Sequence, residues 1–348
     1  MKKLLFILIY IYCFYLNSLN FEKVINLNDG WSISFLNENS IIITEKKGSI
    51  KLYNIRNKSI KNIKHNLNIT YSGQGALMDI ISHNEKIFVG YSENLSNGST
   101  TSVASGILNS NQIIFNNIFR ASPVVQSNYH YGGRLVVISD NIYLTVGDRG
   151  KGMIAQDYEK HPGSIIKIKT DGRLGLDNPK FVNKKSWLPE IFQIGVRNPQ
   201  GLEYSPIDKN IYITNHGAKG GDWFGVVKKG ENYGWKVLGW GGKNYIGTQI
   251  GPKWAPGYTK PIHYWVPSIG ISSLIIYKGR EFKEWNGNAL ITSLKDQSLR
   301  RIVFENNQFI KEEVIFKDKI GRIRDIELNP INGNIFLLGE YALWELSR

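Results

Sequence analysis

The sequence is poor in cysteine: Cys13 is the only one among 348 residues. A disulfide framework is therefore excluded, and with it the class of small disulfide-stapled secreted scaffolds. Long apolar runs are equally scarce. After the first 16 residues no stretch approaches the ~20 apolar residues that a membrane helix requires. Clustered positive charge is missing as well, although the net charge is +14. The lysines are scattered among Asn and Ile, with no recognition motif beside them, so no nucleic-acid partner is expected. The charge reads as a solvated basic surface or as a cationic pocket for an anionic ligand.

The one apolar run lies at the start. Lys2 and Lys3 precede an almost wholly apolar stretch over residues 4–16, and Asn17, Ser18 and Asn20 follow. A short positive region, a 7–15-residue apolar core and a small residue describe a secretory signal. This predicts a signal peptide over residues 1–18 and one domain over 19–348. It also predicts a periplasmic or secreted product with no stable membrane insertion once the signal is removed. Cys13 follows Tyr12 rather than a small residue, which argues against a lipoprotein box.

What the sequence has in quantity is glycine and aromatics: 35 Gly and 18 Tyr, with 42% hydrophobic residues, a composition suited to strands and turns. A short β-branched phrase recurs six times. It reads Ile41-Ile42-Ile43-Thr44, Ile87-Phe88-Val89-Gly90, Ile142-Tyr143-Leu144-Thr145, Ile211-Tyr212-Ile213-Thr214, Ala289-Leu290-Ile291-Thr292 and Ile335-Phe336-Leu337-Leu338. Tight polar turns such as Ser139-Asp140-Asn141 and Asn332-Gly333-Asn334 precede it, as in hairpins. Ahead of the turns lie apolar strands over 32–36, 76–82, 135–139, 201–205, 272–277 and 325–329. Six hairpins without helical periodicity between them predict an all-β, six-bladed β-propeller of four-stranded antiparallel blades. Residues 21–25 are expected beside 343–346, closing the ring and covering two sheet edges.

Hairpin phase then predicts a mouth. If the first strand of each pair lines the axis, residues just before it and just after its partner share one face. Those positions are Gln74, His130, Arg197, Asn198, Ser268, Arg322 and Arg324, with Glu45, Asp148, His216, Lys295 and Glu340.

The mouth positions fall in Gly-rich motifs. These are Gly73-Gln74-Gly75, His130-Tyr131-Gly132-Gly133-Arg134, Gly147-Asp148-Arg149-Gly150, Gly195-Val196-Arg197-Asn198-Pro199-Gln200-Gly201 and Thr214-Asn215-His216-Gly217-Ala218. Further on come Asn232-Tyr233-Gly234-Trp235, Ser293-Leu294-Lys295 and Gly321-Arg322-Ile323-Arg324-Asp325. Taken in order, they resemble the glucose/sorbosone dehydrogenase family, in particular its soluble aldose sugar dehydrogenases that use pyrroloquinoline quinone (PQQ) and calcium.

That resemblance implies oxidation of an aldose to its lactone, with hydride passing to PQQ and electrons to an acceptor the sequence does not name. It implies His130 as the base and Arg197 with Asn198 facing the quinone oxygens. Lys295, Arg322 and Arg324 are implied at the cofactor carboxylates, Gln74 as a further cofactor contact, and the carbonyls of Gly217 and Ala218 as Ca²⁺ ligands. Such roles suit the chemistry: a tricarboxylate needs fixed cations, a developing negative charge needs preset donors, and Ca²⁺ prefers hard oxygen ligands. Ala218 stands where the family usually has proline. Trp223 stands where it often has a glutamate serving a second, structural calcium, so that second site is not expected here.

Each residue also has a plainer reading. His130 could be a turn histidine, Arg197 a brace between blades, Lys295 a solvated lysine, and one of Arg322 and Arg324 a partner for Asp325 or Glu327. His216 reads as a turn-stabilising residue and Asp148 as a loop hydrogen-bonder. Trp240, Trp254 and Trp265 fall in a long segment that is either a self-packed loop or a wall for sugar rings. Two other functions compete: a metal-dependent sugar lactonase, disfavoured by a mouth richer in cations than carboxylates, and a non-catalytic binding propeller that has lost its cofactor.

Overall fold

A computed structural model describes residues 19–179 and 186–348; the expected signal peptide lies outside the described residues. Among the described residues there are β-strands and two short 3-10 turns, and no α-helix. Strand β1 (Asn20–Asn26) pairs with the last strand of the chain rather than with its neighbour in sequence. β2 (Gly30–Asn37), β3 (Ser40–Glu45), β4 (Ile50–Asn54) and β5 (Ser59–His65) pair antiparallel in sequence. β6 (Leu77–His83), β7 (Lys86–Leu95) and β8 (Gly98–Asn109) do the same, and β8 also takes β9 (Gln112–Ile113) and β10 (Asn116–Arg120).

The next two sheets each have four antiparallel strands. One holds β11 (Gly132–Ile138), β12 (Asn141–Val146), β13 (Ser164–Lys169) and β14 (Ile191–Ile194). The other holds β15 (Pro199–Tyr204), β16 (Ile211–Asn215), β17 (Asp222–Val226) and β18 (His263–Trp265). A further such sheet holds β19 (Ile271–Ile276), β20 (Ala289–Ser293), β21 (Ser298–Glu305) and β22 (Gln308–Lys317). β23 (Ile323–Leu328), β24 (Ile335–Gly339) and β25 (Ala342–Ser347) complete the chain and take β1 as their fourth strand. Phe21 lies opposite Leu346 and Ile25 opposite Leu343, the closure expected from the sequence.

Every hairpin read from the repeat forms, with Ile33 opposite Ile43, Ile80 opposite Val89, Leu135 opposite Leu144, Leu202 opposite Ile213, Leu274 opposite Ile291 and Ile326 opposite Leu337. One feature departs from separate four-stranded sheets. β9 pairs in parallel with β5 as well as antiparallel with β8, which ties the first two groups into one nine-stranded sheet. Two residues are too short a signal to be seen as a strand in the sequence.

Packing explains the repeated phrase. Ile41, Ile42 and Ile43 of β3 are all wholly buried, because neighbouring sheets cover both faces. A strand covered on both sides selects a continuous apolar run rather than alternation. The first strands of the hairpins are different: they carry polar groups inward. β2 packs against β6 and β23, β6 against β11, β11 against β15, β15 against β19 and β19 against β23, so these strands follow one another in a closed circuit.

Buried carboxylates bind the circuit together. Asp79 Oδ2 accepts from the Leu135 backbone N at 2.7 Å, Asp222 Oδ2 from Ile271 N at 2.9 Å, and Asp325 Oδ2 from Ile33 N at 2.9 Å. The last of these joins the end of the chain to its beginning. Arg134 sits among them, with Nη1 3.1 Å from Asp79 and 2.8 Å from Asp325 and its guanidinium 4.3 Å from the Trp31 ring. Buried charges held this way are paired and hydrogen-bonded, which is what makes their burial tolerable.

Candidate active site

Of the residues expected at the mouth, Gln74, His130, Arg197, Asn198, His216, Arg322 and Arg324 line one cavity of about 290 Å³. A second cavity of about 270 Å³ shares His130, Arg197 and Tyr245 with it and adds Asp148, Ala218 and Trp235. His130 therefore stands on the boundary between the two.

The loop before β11 holds His130 in a left-handed conformation, φ 49°, unusual for a residue with a side chain. Its backbone N donates to Gln74 Oε1 at 2.8 Å. Its carbonyl packs so closely on Gly147 that a Cβ there would come within 2.1 Å of the oxygen; only glycine fits. The next residue, Asp148, is buried. Its Oδ1 lies 2.6 Å from His130 Nδ1 and accepts from Gly150 N at 2.8 Å, and its Oδ2 accepts from Trp235 Nε1 at 2.5 Å.

Burial opposes ionisation of Asp148, but the contacts with His130 and Trp235 and the charge of Arg197 outweigh it and hold its pKa below the usual value. An ionised carboxylate at Nδ1 fixes the proton on that nitrogen and leaves Nε2 with its lone pair. Burial depresses the His130 pKa below its usual 6.5, with Asp148 opposing and Arg197 adding to the shift. The imidazole is thus neutral and able to accept a proton near neutral pH. The loop hydrogen-bonding expected of Asp148 is present at Gly150, and orientation of His130 is added to it.

Arg197 and Asn198 enter the cavity from the turn before β15. Both backbone N–H groups donate to Asn215 Oδ1 at 3.0 Å, from the end of β16. Asn198 Oδ1 accepts from Gly132 N at 3.1 Å, and the Arg197 guanidinium lies 5.4 Å from the Trp235 ring. Arg324 donates from Nη1 to Gln200 Oε1 at 3.2 Å. Burial, then Arg322 and Arg134, lower its pKa to about 10. Arg322 Nε is 3.8 Å from Glu340. Neither arginine is ion-paired with Asp325 or Glu327; Arg134 takes Asp325.

Lys295 lies outside the lining of both cavities: its Nζ is 3.3 Å from the Ser268 carbonyl, while its neighbour Leu294 lines the first. His216 is held neutral, its pKa lowered to about 4 by burial against the opposing charge of Asp222. Its buried Nε2 has no hydrogen-bond partner among the described residues.

The sequence missed Lys46, one residue beyond β3, and Trp31 of β2, both of which line the first cavity. Lys46 Nζ is 2.5 Å from Asp29, and burial with the charge of Arg324 still lowers its pKa. Of the two readings left open for the segment with Trp240, Trp254 and Trp265, packing is the one the structure shows. Trp240 and Trp265 are buried in the core and Trp254 carries Lys260 at 4.0 Å. Trp235 and Tyr245 line the second cavity instead.

The residues present fit an anionic, oxygen-rich group with a hard cation beside it. Lys46, Arg197, Arg322 and Arg324 surround one cavity and leave His216 Nε2 unpartnered. The turn 217–221 is so tight that a Cβ on Gly217 would lie 2.3 Å from the Gly221 backbone. Gly217 N donates to Asp222 Oδ1 at 2.8 Å. Neither the Gly217 nor the Ala218 carbonyl accepts a hydrogen bond among the described residues, so both retain lone pairs for a cation. Trp223 is a core residue, buried and stacked on Tyr233 at 4.0 Å, and can supply no oxygen there. Among the described residues no three His, Cys, Asp or Glu side chains converge to hold a metal.

With this geometry in place, the class follows: the chain belongs to the glucose/sorbosone dehydrogenase family, whose model matches residues 27–345. It is similar to aldose sugar dehydrogenase YliI of Escherichia coli, 28% identical, with 92% of this chain and 90% of that protein aligned. The crystal structure of the soluble aldose sugar dehydrogenase of E. coli in the apo form superposes with a TM-score of 0.89 at 27% identity, covering 95% of this chain and 99% of that one. The PQQ-bound aldose sugar dehydrogenase of Streptomyces coelicolor shares the fold, with a TM-score of 0.78 at 16% identity over 95% and 98% of the two chains.

Proposed function

We propose that the protein is a PQQ- and Ca²⁺-dependent oxidoreductase that converts an aldose to its lactone. The observation that carries this reading is His130, held by Asp148 at Nδ1 with no partner at Nε2 among the described residues, on the boundary between a cationic cavity and a second cavity of about 270 Å³. Gln74, Arg197, Asn198, Arg322 and Arg324, which line the first cavity, would hold the cofactor, and the Gly217 and Ala218 carbonyls the calcium. Lys295, outside that lining and 3.3 Å from the Ser268 carbonyl, would reach the cofactor only by leaving that contact. When bound, the ortho-quinone supplies an electrophilic carbon for the hydride of the anomeric carbon, and calcium supplies Lewis acidity beside it.

The chain's own residues do the rest. His130 Nε2 takes the anomeric hydroxyl proton, and Asp148 stabilises the imidazolium that results. Arg197 and the Asn198 amide offer donors to negative charge that develops in the first cavity. Trp235 and Tyr245 line the cavity in which the sugar would sit. Electrons leave to an acceptor not identified by the site.

We read the architecture as a six-bladed propeller, with β2, β6, β11, β15, β19 and β23 as the inner strands and the β5–β9–β8 link as a tie between the first two blades. A signal over residues 1–18 and a periplasmic or secreted location complete the reading. Among the described residues no helix is long and apolar enough to cross a membrane.

The test is to add PQQ and Ca²⁺ to purified protein and follow aldose-dependent reduction of an artificial electron acceptor. Cofactor uptake with sugar-dependent turnover supports the reading, and the double variant Arg322→Ala with Arg324→Ala should lose the uptake. Protein that takes up no PQQ refutes it.

A further inference from the structure

The second cavity carries charge that the proposed reaction does not use. Besides Arg197 it is lined by Lys151 and Lys236, both exposed. The Lys236 stem lies over Gly152, where a Cβ would come within 2.9 Å of its Cδ. The adjacent residue is Lys151, so both lysines rise from one rim. Among the described residues neither ammonium has an ion pair or a hydrogen bond, in contrast to Lys46, which is held by Asp29. Among the described residues the only carboxylate in the lining is Asp148, and both its oxygens are engaged by His130, Gly150 and Trp235. Three cations thus line a cavity with one carboxylate, whose oxygens are already taken up by hydrogen bonds.

Within this lining His130 is largely buried, with 13% of its side chain exposed, whereas Lys151 and Lys236 are exposed. An aldose seated with its anomeric hydroxyl at His130 therefore directs its far end toward Lys151 and Lys236. We infer that the cavity selects an aldose bearing an anionic group at the end remote from the anomeric carbon, a carboxylate as in a uronic acid or a phosphate ester. The inference deepens the proposed function and rests on His130 as the base. A neutral hexose would leave both ammonium groups without a partner, whereas an anion between them gains two charge-assisted contacts. At exposed positions such contacts are worth about two- to fivefold each, or about tenfold together.

Two measurements decide it. Equilibrium binding of glucose, glucuronate and glucose 6-phosphate to the full chain is measured by calorimetry, in wild type and in Lys151→Gln with Lys236→Gln. The kcat/KM values for the same sugars are measured after addition of PQQ and Ca²⁺. The expected result is about tenfold tighter binding of an anionic aldose than of glucose, falling toward parity in the double variant and at high ionic strength. The uronate and phosphate arms show which anion is preferred. Anionic sugars that bind no better than glucose overturn the inference, as does a preference that survives the double variant. Turnover of glucose without an anionic preference would remove this inference and leave the proposed function standing. Anion-selective binding that is lost in the double variant, without turnover of any sugar, would leave the anion preference of the cavity standing and overturn the seating of an anomeric hydroxyl at His130 together with the proposed function.

Discussion

Replacing Asp148 by asparagine tests the positioning of His130 with almost no change in volume. The carboxylate accepts three hydrogen bonds, from His130 Nδ1, Gly150 N and Trp235 Nε1. An amide keeps one oxygen. If that oxygen stays toward His130 and Gly150, the new NH₂ opposes Trp235 Nε1, donor against donor. If the amide flips, the NH₂ faces His130 Nδ1, which must then accept, and the proton moves to Nε2, where it blocks base action. The first arrangement leaves a buried donor unsatisfied, at a cost of about 1–3 kcal/mol of stability. The second removes the reactive tautomer, and losing a positioned base costs about 10²–10⁴-fold in rate. Both leave the cationic cavity intact.

The pH dependence carries a further sign. Asp148 raises the His130 pKa against the lowering by burial, so its neutralisation should shift the acid limb of kcat/KM to lower pH while the plateau drops. The assay is a pH profile of turnover, beside a PQQ titration and thermal melting of the same preparation. A variant that binds PQQ but keeps the wild-type plateau and acid limb would refute the positioning argument. A loss explained wholly by unfolding would appear in the melt.

Two further outcomes concern the frame around the site. Glu327 lies in an axial cavity with Asp79, Arg134, Glu203 and Asp325, and burial, then the charge of Asp325, raises its pKa from 4.5 to about 8. A raised carboxyl contributes stability that is fully present below pH 4.5 and is lost as pH climbs through about 8. Glu327→Gln should therefore flatten the stability profile across that window and stabilise the protein on its alkaline side by roughly 1–3 kcal/mol; urea unfolding with an unchanged slope between the two pH limits would count against it. Arg134→Met leaves Asp79 and Asp325 buried without their cation and should cost about 3–5 kcal/mol in the same assay. A loss below about 1 kcal/mol would mean that the axial network is not what ties the inner strands.

The fold was legible because its signal repeats. The apolar phrase of β3, β7, β12, β16, β20 and β24 is read by burial on both faces, and a pattern met that often outweighs any single propensity. The β9 tie was not legible, since Gln112 and Ile113 carry no period and gain their role only where β5 passes β8. The site was partly legible. Strand phase placed Gln74, His130, Arg197, Arg322 and Arg324 together because antiparallel pairing fixes which ends meet. Phase gives a position along a strand but no side-chain direction, which is why Lys295 turned to the Ser268 carbonyl unforeseen. It is also why Trp235, 87 residues from Asp148 in the chain, could be recognised as part of a motif but not as the second anchor of that carboxylate. Trp240 and Trp265 lie in the core; aromatic character alone suits a packed loop and a sugar wall equally, which is why the sequence left both readings open.

The central claim is that His130 removes a sugar proton while the chain holds a quinone cofactor, and one measurement addresses it directly. Wild type and His130→Ala are each loaded with PQQ and Ca²⁺ without oxygen, mixed once with an aldose, and the quinone absorbance is followed in time. Both proteins should bind the same amount of cofactor, and the variant should reduce it at least ~100-fold more slowly. Equal rates, or no cofactor bound by either protein, would contradict the claim.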